Sequence, residues 1–264
     1  MTEPAKTPKT AKPADHNKDL HELIHGHPIY RAVAKTFARL LVVLLFRVQF
    51  EGLEHMPTQG PVLLVANHTS LLDIPAIHMR LKPWIYWVSK KELFKAPVIG
   101  SFFAAMGCIP VDRHKVDLHA ARGIFGALDA GKIVAIFPQA TRVPPERILE
   151  HLPRTGVAHF AIKTGAPIVP VLIDGDFKLW RKNRIVFGPS FKLDASPRQR
   201  YNHAQLMTFT IEIMQKIYDM KSFDYHLSDQ ALLSDQLVRL PDGSLAMQTT
   251  AEQEAVKLLQ KLGQ

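Results

Sequence analysis

The chain contains a short apolar run that leads directly into a polar turn: Pro61-Val62-Leu63-Leu64-Val65-Ala66-Asn67-His68-Thr69-Ser70-Leu71-Leu72-Asp73. The run has the length and composition of a buried strand, and Thr69 and Ser70 are residues that often begin a helix. On one regular helix, His68 and Asp73 would point about 140° away from each other. The two side chains can therefore meet only if His68 lies in the turn and Asp73 reaches back from the first helical turn.

A histidine oriented by a carboxylate is suited to take a proton from a hydroxyl or a thiol. The alternative is structural, with the His at a strand end and the Asp placed in a first helical turn by the helix dipole. Ser70 is disfavoured as a nucleophile, because the chain has no Gly-x-Ser-x-Gly turn to expose it.

Apolar runs alternate with amphipathic segments from Pro61 onward. Strands are predicted at 61–66, 84–88, 107–111, 132–137 and 167–173, and helices at about 71–80, 97–106, 115–130, 155–164 and 201–220. This alternation is typical of a single α/β domain with a mostly parallel or mixed sheet covered by helices. We assign residues 51–221 to that domain. Residues 222–264 form a C-terminal extension, with a turn at Pro241-Asp242-Gly243 and a short helix predicted over 251–262.

The N-terminal part divides into two segments. Residues 1–19 are rich in Lys, Thr, Pro and Ala, which predicts a disordered polar tail. Residues 20–50 are expected to hold a helix that Pro28 opens, in which Arg31, Lys35 and Arg39 recur every four positions before the apolar run 40–46. That run is too short to cross a bilayer, so it suits a helix in the membrane interface whose basic side chains reach lipid phosphates. The alternative is a core helix that caps the domain.

Composition narrows the choice of partners. The 264 residues are 47% hydrophobic, which suits one domain with a substantial core, and the formal net charge is +9. A basic chain attracts nucleic acid, anionic lipid, phosphorylated substrates or an acidic carrier protein. No nucleic-acid motif is visible, so we expect no nucleic-acid partner and favour lipid or phosphate. The single cysteine, Cys108, rules out an intrachain disulfide and fits a reducing compartment.

Two short motifs match known sites without the context those sites require. His21-Glu22-Leu23-Ile24-His25 has the spacing of a zinc protease helix, but Gly26 and Pro28 end it at once, so no metal is predicted. The segment 126–132 has P-loop spacing but precedes a strand, so a helix end capped by Gly131 is favoured.

Three further blocks follow the His68–Asp73 turn, each at the edge of an apolar strand. They are Gly107-Cys108-Ile109-Pro110-Val111-Asp112-Arg113, Phe137-Pro138-Gln139-Ala140-Thr141-Arg142 and Ala166-Pro167-Ile168-Val169-Pro170-Val171. In this order and at these separations, the four blocks resemble those of the glycerolipid acyltransferase family typified by lysophosphatidic acid acyltransferase. The resemblance covers about residues 52–192.

The resemblance implies an O-acyltransferase of phospholipid synthesis. It would move a fatty acyl group from acyl-CoA or acyl carrier protein to a lysophospholipid, foremost lysophosphatidic acid, without a metal or bound cofactor. His68 would be the base and Asp73 its orienting partner. The enzyme would work at an anionic membrane surface, on the cytoplasmic face.

The same resemblance places the acceptor at Arg113 and at Gln139, Ala140, Thr141 and Arg142. Arginine suits this role because a guanidinium binds phosphate through two hydrogen bonds and stays charged. The alternative for each arginine is a surface ion pair, and Asp112 stands beside Arg113. Lys90 and Lys91 are expected to add positive potential beside the cleft.

The third block departs from the family pattern, which has Glu-Gly where this chain has Gln139-Ala140. Gln keeps an acceptor oxygen and loses the charge, and Ala loses the freedom of Gly at positive φ. Two alternatives follow from this departure. One is a different acceptor, such as glycerol 3-phosphate, another lysophospholipid or an amine-bearing lyso-lipid. The other is a non-catalytic lipid-binding relative.

Overall fold

The computed structural model describes residues 28–113 and 116–249. The elements along them are α1 (Pro28–Leu45), β1 (Arg47–Glu51), β2 (Val62–Ala66), α2 (Asp73–His78), β3 (Ile85–Lys90), α3 (Pro97–Ala105), β4 (Ile109–Val111), α4 (Leu118–Asp129), β5 (Ile133–Ile136), α5 (Gly156–Thr164), β6 (Ile168–Asp174), β7 (Lys182–Phe187), α6 (His203–Tyr218), α7 (Asp229–Ser234), β8 (Leu237–Arg239) and β9 (Leu245–Met247). Short 3-10 turns lie at Leu53–His55, Lys91–Lys95, Pro145–Arg147 and Asp219–Lys221.

Seven strands form one sheet in the order β1-β7-β6-β2-β5-β3-β4. The five strands β6, β2, β5, β3 and β4 are parallel, and β7 pairs antiparallel with β6 and parallel with β1. The predicted α/β domain with a mostly parallel sheet covered by helices is therefore confirmed. The carboxyl ends of the five parallel strands share one edge, which we call the carboxyl edge.

The five predicted strands match β2, β3, β4, β5 and β6, whereas β1 and β7 were not predicted. β1 lies at the sheet edge, and its residues alternate between exposed and half-buried positions. β7 begins with Lys182-Asn183-Arg184 and carries its apolar residues only at its end. Neither strand forms the continuous apolar run that marks a strand buried on both faces.

Each face of the sheet has its own core. Leu63 and Val65 of β2 pack with residues of α4, α5 and α6, while Leu64 and Ala66 pack with residues of α2 and of the opposite faces of β3, β5 and β6. All five residues of β2 are buried, as expected for a strand covered on both sides.

Residues 222–249 complete the first of these cores. Tyr225, Leu227, Leu232 and Leu237 are buried in the same cluster as residues of α4, α5 and α6. The turn predicted at Pro241-Asp242-Gly243 joins the antiparallel strands β8 and β9. The helix predicted over 251–262, the predicted polar tail 1–19 and the motif at 21–25 all lie outside the described residues.

Helix α1 contacts the domain through its basic face. The guanidinium of Arg31 lies 4.7 Å from the centre of the Trp84 ring, and the Lys35 ammonium donates to the carbonyls of Leu81 and Lys82 at 2.9 and 3.1 Å. The side chains of Arg31 and Lys35 therefore contact the α/β domain. The sequence had predicted that they would reach lipid phosphates instead. Cation–π contacts of this kind stabilise the docking of a basic helix on an aromatic surface.

The opposite face of α1 presents Ile29, Val33 and Leu40 to solvent.

Beneath the helix, burial and the charges of Lys35 and Arg31 lower the pKa of His78 to about 3, so the imidazole ring of His78 stays neutral. Among the described residues, no helix has the length and apolar character needed to span a membrane.

Asn67 extends the pairing of β2 with β6 beyond the last strand residue. Its side chain is buried, donates to the carbonyl of Ile173 at 2.9 Å, and accepts from the N–H of the same residue at 2.7 Å. The amide thus replaces one rung of the sheet and leaves the main chain free to turn at His68. Two backbone groups of β6 would lose their partners without it.

We expect Asn67→Leu to lower the free energy of unfolding by about 3 kcal/mol, because both buried backbone groups of Ile173 lose their partner. Asn202→Leu is the matched control, since the exposed Asn202 caps α6 through one bond to the N–H of Gln205 and is worth about 1 kcal/mol. Urea unfolding measures both. An equal loss in the two variants would contradict the role assigned to Asn67.

Candidate active site

His68 and Asp73 are in direct contact. β2 ends at Ala66 and α2 begins at Asp73, so His68 lies in the connecting turn, and its Nδ1 is 2.7 Å from Oδ2 of Asp73. This is the arrangement that the five-residue spacing requires. The side chain of His68 is 13% exposed and that of Asp73 is fully buried.

The Asp73 carboxylate accepts hydrogen bonds from consecutive residues of the turn. Its Oδ2 accepts from the N–H groups of Thr69 and Ser70 at 2.7 and 2.9 Å, and Oδ1 accepts from the Thr69 hydroxyl at 3.1 Å. Because backbone N–H groups can only donate, Oδ2 is an acceptor, and Nδ1 of His68 must carry the proton that it shares with Asp73. Nε2 then holds the lone pair, which is the form of the ring that acts as a base.

The turn is also tied to the segment that follows β5. The N–H of His68 donates to Oε1 of Gln139 at 2.8 Å, and the His68 carbonyl accepts from the N–H of Val143 at 3.0 Å. Nε2 of His151 lies 2.8 Å from the carbonyl of Gln139. Both backbone groups of His68 are therefore held by one neighbouring loop.

Aromatic rings support the His68 side chain. The imidazole stacks on Phe137 with ring centres 4.2 Å apart and 14° between the planes, and Phe137 in turn stacks on Trp87 at 5.1 Å. Phe137 follows β5 and Trp87 belongs to β3, so the stack crosses neighbouring strands. The imidazole is thus packed on one side while its Nδ1 is held by Asp73.

Gln139 faces the protein interior. It is 2% exposed, and its side-chain contacts are with the N–H of His68 and, at 3.4 Å, with the Tyr218 hydroxyl. The structure thus gives Gln139 a positioning contact, and its predicted contact with the acceptor stays a prediction. The departure from Glu therefore lies in the support behind His68.

Ala140 occupies a backbone conformation that favours glycine. Its φ is 56°, in the left-handed region, where a Cβ atom is strained. The surrounding bonds hold it there, since its own N–H donates to Phe137 and the carbonyl of Gln139 is bound by His151. Strain that persists in this way is common at functional sites.

Thr141 and Arg142 lie on the surface of the same loop. Both are exposed, and Arg142 forms no ion pair within the part of the chain that the structure describes. Its guanidinium is therefore free to bind an anion that approaches the carboxyl edge.

Arg113 lies at the same edge but farther along it. It follows β4, which is three strands from β2, or about 14 Å. The side chain is half-buried, and burial lowers the pKa of its guanidinium while Glu92 opposes the change. The structure brings His68, Asp73 and Gln139 together, and among the described residues no bond joins Arg113 or Arg142 to them.

Lys91 pairs with Asp112, and this hydrogen bond raises the pKa of Lys91. Lys90 lies 3.9 Å from Glu92. The two lysines predicted to add positive potential are thus paired with acids. The Asp112 carboxylate thus pairs with Lys91, whereas the sequence alone also allowed it to pair with Arg113.

Exposed apolar side chains lie in the segments that follow the parallel strands. Each follows the end of a parallel strand: Leu71 after β2, Leu93 after β3, Val116 after β4, and Leu179 and Trp180 after β6. We call these five residues the apolar rim.

Several supporting residues escaped prediction from the sequence, namely Asn67, Trp87, His151 and Tyr218. Asn67 follows one predicted strand and Trp87 lies within another, but neither carries a spacing signal of its own. His151 and Tyr218 reach Gln139 from distant parts of the chain. The described residues contain no group of three His, Cys, Asp or Glu side chains arranged to hold a metal ion.

The family model described as Acyltransferase matches residues 47–174. The 1-acyl-sn-glycerol-3-phosphate acyltransferase of Bacillus subtilis is 30% identical over 139 residues, covering 52% of this chain and 68% of the relative. The chloroplastic enzyme LPAT1 of Arabidopsis thaliana, also a 1-acyl-sn-glycerol-3-phosphate acyltransferase, is 29% identical over 171 residues, covering 60% of this chain and 47% of the relative. The chain thus spans about half the length of the chloroplastic relatives.

The crystal structure of the 1-acyl-sn-glycerophosphate acyltransferase PlsC from Thermotoga maritima has the same fold. The two structures superpose with a TM-score of 0.56 at 22% identity, over 81% of this chain and 86% of the other.

We expect Ala140→Gly to raise the free energy of unfolding by about 1 kcal/mol, because glycine adopts a φ of 56° without strain. The matched control is the reverse change, Gly165→Ala, at a residue with φ 63° and no atom within 4 Å of the added Cβ. It should lower stability by about the same amount. Urea unfolding measures both, and an Ala140→Gly variant less stable than the parent would contradict the strain.

Proposed function

The chain belongs to the glycerolipid acyltransferase family, and we propose that it transfers a fatty acyl group from a thioester to the free hydroxyl of lysophosphatidic acid, giving phosphatidic acid. The observation that carries this proposal is the contact between His68 and Asp73 at the carboxyl edge. The names of the matched relatives, which are 1-acyl-sn-glycerol-3-phosphate acyltransferases, support the choice of acceptor.

Nε2 of His68 takes the proton of the acceptor hydroxyl as its oxygen attacks the thioester carbonyl. Asp73 holds the ring in the required tautomer and stabilises the imidazolium that forms. When the tetrahedral intermediate collapses, the C–S bond breaks and the imidazolium returns the proton to the leaving thiolate. The acceptor oxygen attacks directly, so no serine nucleophile takes part. The donor in this proposal is acyl-CoA or acyl carrier protein.

Arg142 and Arg113 are proposed to hold the acceptor phosphate. Arg142 is exposed on the loop that supports His68, and Arg113 follows β4 at the same edge. A guanidinium gains most by binding phosphate where no carboxylate already neutralises it, which fits Arg142, since it has no ion pair among the described residues.

The Gln139-Ala140 departure gives no support for a different acceptor. Gln139 is buried, and its two side-chain contacts are with His68 and Tyr218. The change therefore affects the positioning of the base, while the exposed surface that meets the acceptor keeps Thr141 and Arg142. We retain lysophosphatidic acid as the substrate.

We propose that the enzyme works at an anionic membrane surface. Helix α1 turns its basic face to the domain and its apolar face, Ile29, Val33 and Leu40, to the outside. The apolar rim supplies a second lipid-contacting surface beside the base. A helix whose apolar face is left open in this way suits the interface of a bilayer. The single cysteine fits a reducing compartment and hence the cytoplasmic face.

We expect His68→Ala to lower kcat by about 100- to 10,000-fold, because the acceptor loses its general base. Asp73→Asn should lower kcat by about 100-fold or more. The assay uses purified protein in mixed micelles with lysophosphatidic acid and either thioester donor, and mass spectrometry detects the product. A panel with glycerol 3-phosphate and other lysophospholipids determines the preferred acceptor.

His203→Ala is the matched control for this assay. His203 forms a second His–Asp pair with Asp235 at 2.6 Å, at the start of α6, and its loss should leave kcat within about twofold of the parent. A His68→Ala variant as active as His203→Ala would refute the assigned base. If the folded parent gives no product with any acceptor, the catalytic proposal is rejected, and the protein is a lipid-binding relative without activity.

We expect the triple variant Ile29→Ser, Val33→Ser, Leu40→Ser to bind vesicles at least about 100-fold more weakly, since three apolar side chains no longer enter the interface. Co-sedimentation with vesicles of phosphatidylcholine and phosphatidylglycerol measures the binding. Vesicles of phosphatidylcholine alone show how much of the affinity depends on anionic lipid.

The control for vesicle binding is Leu240→Ser with Met247→Ser. Both residues are exposed at the β8–β9 hairpin, away from α1 in the chain. This variant should bind vesicles like the parent. Unchanged binding by the α1 variant would place the membrane contact elsewhere.

A further inference from the structure

We propose that Tyr218, at the end of α6, is a positioning residue that holds His68 in place through the side chain of Gln139. The inference rests on the proposed function for its kinetic consequence, and on the geometry alone for its structural one. Tyr218 lies outside the residues 47–174 that match the family model.

The bridge between Tyr218 and His68 passes through one buried amide. Oε1 of Gln139 accepts from the His68 N–H at 2.8 Å, and Nε2 of Gln139 donates to the Tyr218 hydroxyl oxygen at 3.4 Å. Tyr218 is 1% exposed and Gln139 is 2% exposed, so water does not compete for these groups. The amide presents an acceptor to the His68 N–H and a donor to the Tyr218 oxygen, so one side chain joins the two groups.

Tyr218 is itself a fixed point. It belongs to the last turn of α6, and its ring stacks on Tyr225 with centres 5.2 Å apart and 12° between the planes. Burial raises the pKa of the Tyr218 hydroxyl to about 12, so the group is neutral under working conditions. Its oxygen is then a stable acceptor for the Gln139 amide.

The orientation of that amide decides where the His68 main chain lies. His68 is held on its carbonyl side by Val143, and the bond to Gln139 holds its N–H side. If the Gln139 amide rotates, the N–H of His68 loses its partner, and the imidazole can shift on Phe137. Small displacements of a catalytic group reduce the rate of the chemical step far more than substrate binding.

The test is a pair of Tyr→Phe variants in the full-length protein. Tyr218→Phe removes the acceptor of the Gln139 amide and should lower kcat about three- to tenfold with KM unchanged. Tyr225→Phe makes the same chemical change in the next ring of the stack. The Tyr225 hydroxyl is buried without a hydrogen-bond partner among the described residues, so its loss should leave kcat unchanged.

A double-mutant cycle shows that the effect of Tyr218 passes through Gln139. Gln139→Met keeps the length of the side chain and removes both polar ends, and it should lower kcat about 10- to 100-fold. Adding Tyr218→Phe to it should cause no further loss, because the bridge is already broken. Additive losses in kcat would refute the mediation by Gln139.

Amide hydrogen exchange at His68 tests the geometry without any enzymatic assay. Exchange should be faster by about tenfold in Gln139→Met and by a few-fold in Tyr218→Phe, and unchanged in Tyr225→Phe. Gln139→Glu should retain the protection, since one carboxylate oxygen accepts from His68 and the other can accept from the Tyr218 hydroxyl.

The two readouts separate failure of this inference from failure of the proposed function. Equal exchange at His68 in Tyr218→Phe, Tyr225→Phe and the parent overturns the bridge, whether or not the protein is active. Faster exchange in Tyr218→Phe with an inactive parent supports the bridge and rejects the acyltransferase. If Tyr218→Phe lowers only KM or stability, and leaves both kcat and the amide exchange of His68 unchanged, the positioning role is overturned.

Discussion

The buried carboxylate of Asp73 is the constraint on which the site depends. A fully buried carboxylate needs hydrogen-bond donors, and here they come from the N–H groups of Thr69 and Ser70, the Thr69 hydroxyl and the imidazole of His68. To supply them, the chain must leave β2, turn, and enter α2 within a few residues. One charge thus shapes the turn and also sets the tautomer of His68.

The loop after β5 provides the second half of that framework. It binds both backbone groups of His68, and its Phe137 supports the imidazole from one face. Holding this loop costs strain at Ala140, which adopts a φ of 56° without being glycine. The strain persists because Gln139 is held by His68, His151 and Tyr218 together. The part of the chain beyond the family blocks is therefore linked to His68 through Tyr218 of α6.

Helix α1 on the outer surface docks through its charged residues and exposes apolar ones. Helix α1 uses Arg31 and Lys35 to dock on Trp84 and on the carbonyls of Leu81 and Lys82. This leaves Ile29, Val33 and Leu40 exposed, on a chain that also exposes the five residues of the apolar rim. The apolar face of a helix is normally buried against the rest of the protein. The exposure of these three residues is the physical argument for the proposed lipid-facing surface.

The sequence by itself determined the α/β class, the five parallel strands and the geometry of the His68–Asp73 pair. Strands buried on both faces are continuous apolar runs, and a five-residue spacing leaves one way for the two side chains to meet. Only the tertiary structure decided β1 and β7, whose patterns are polar or alternating, the inward basic face of α1, and the role of Gln139. The bond from Gln139 to Tyr218 joins residues 79 apart. A hydrogen bond between side chains so distant in the chain depends on packing, and it leaves no periodicity or spacing from which it could be predicted.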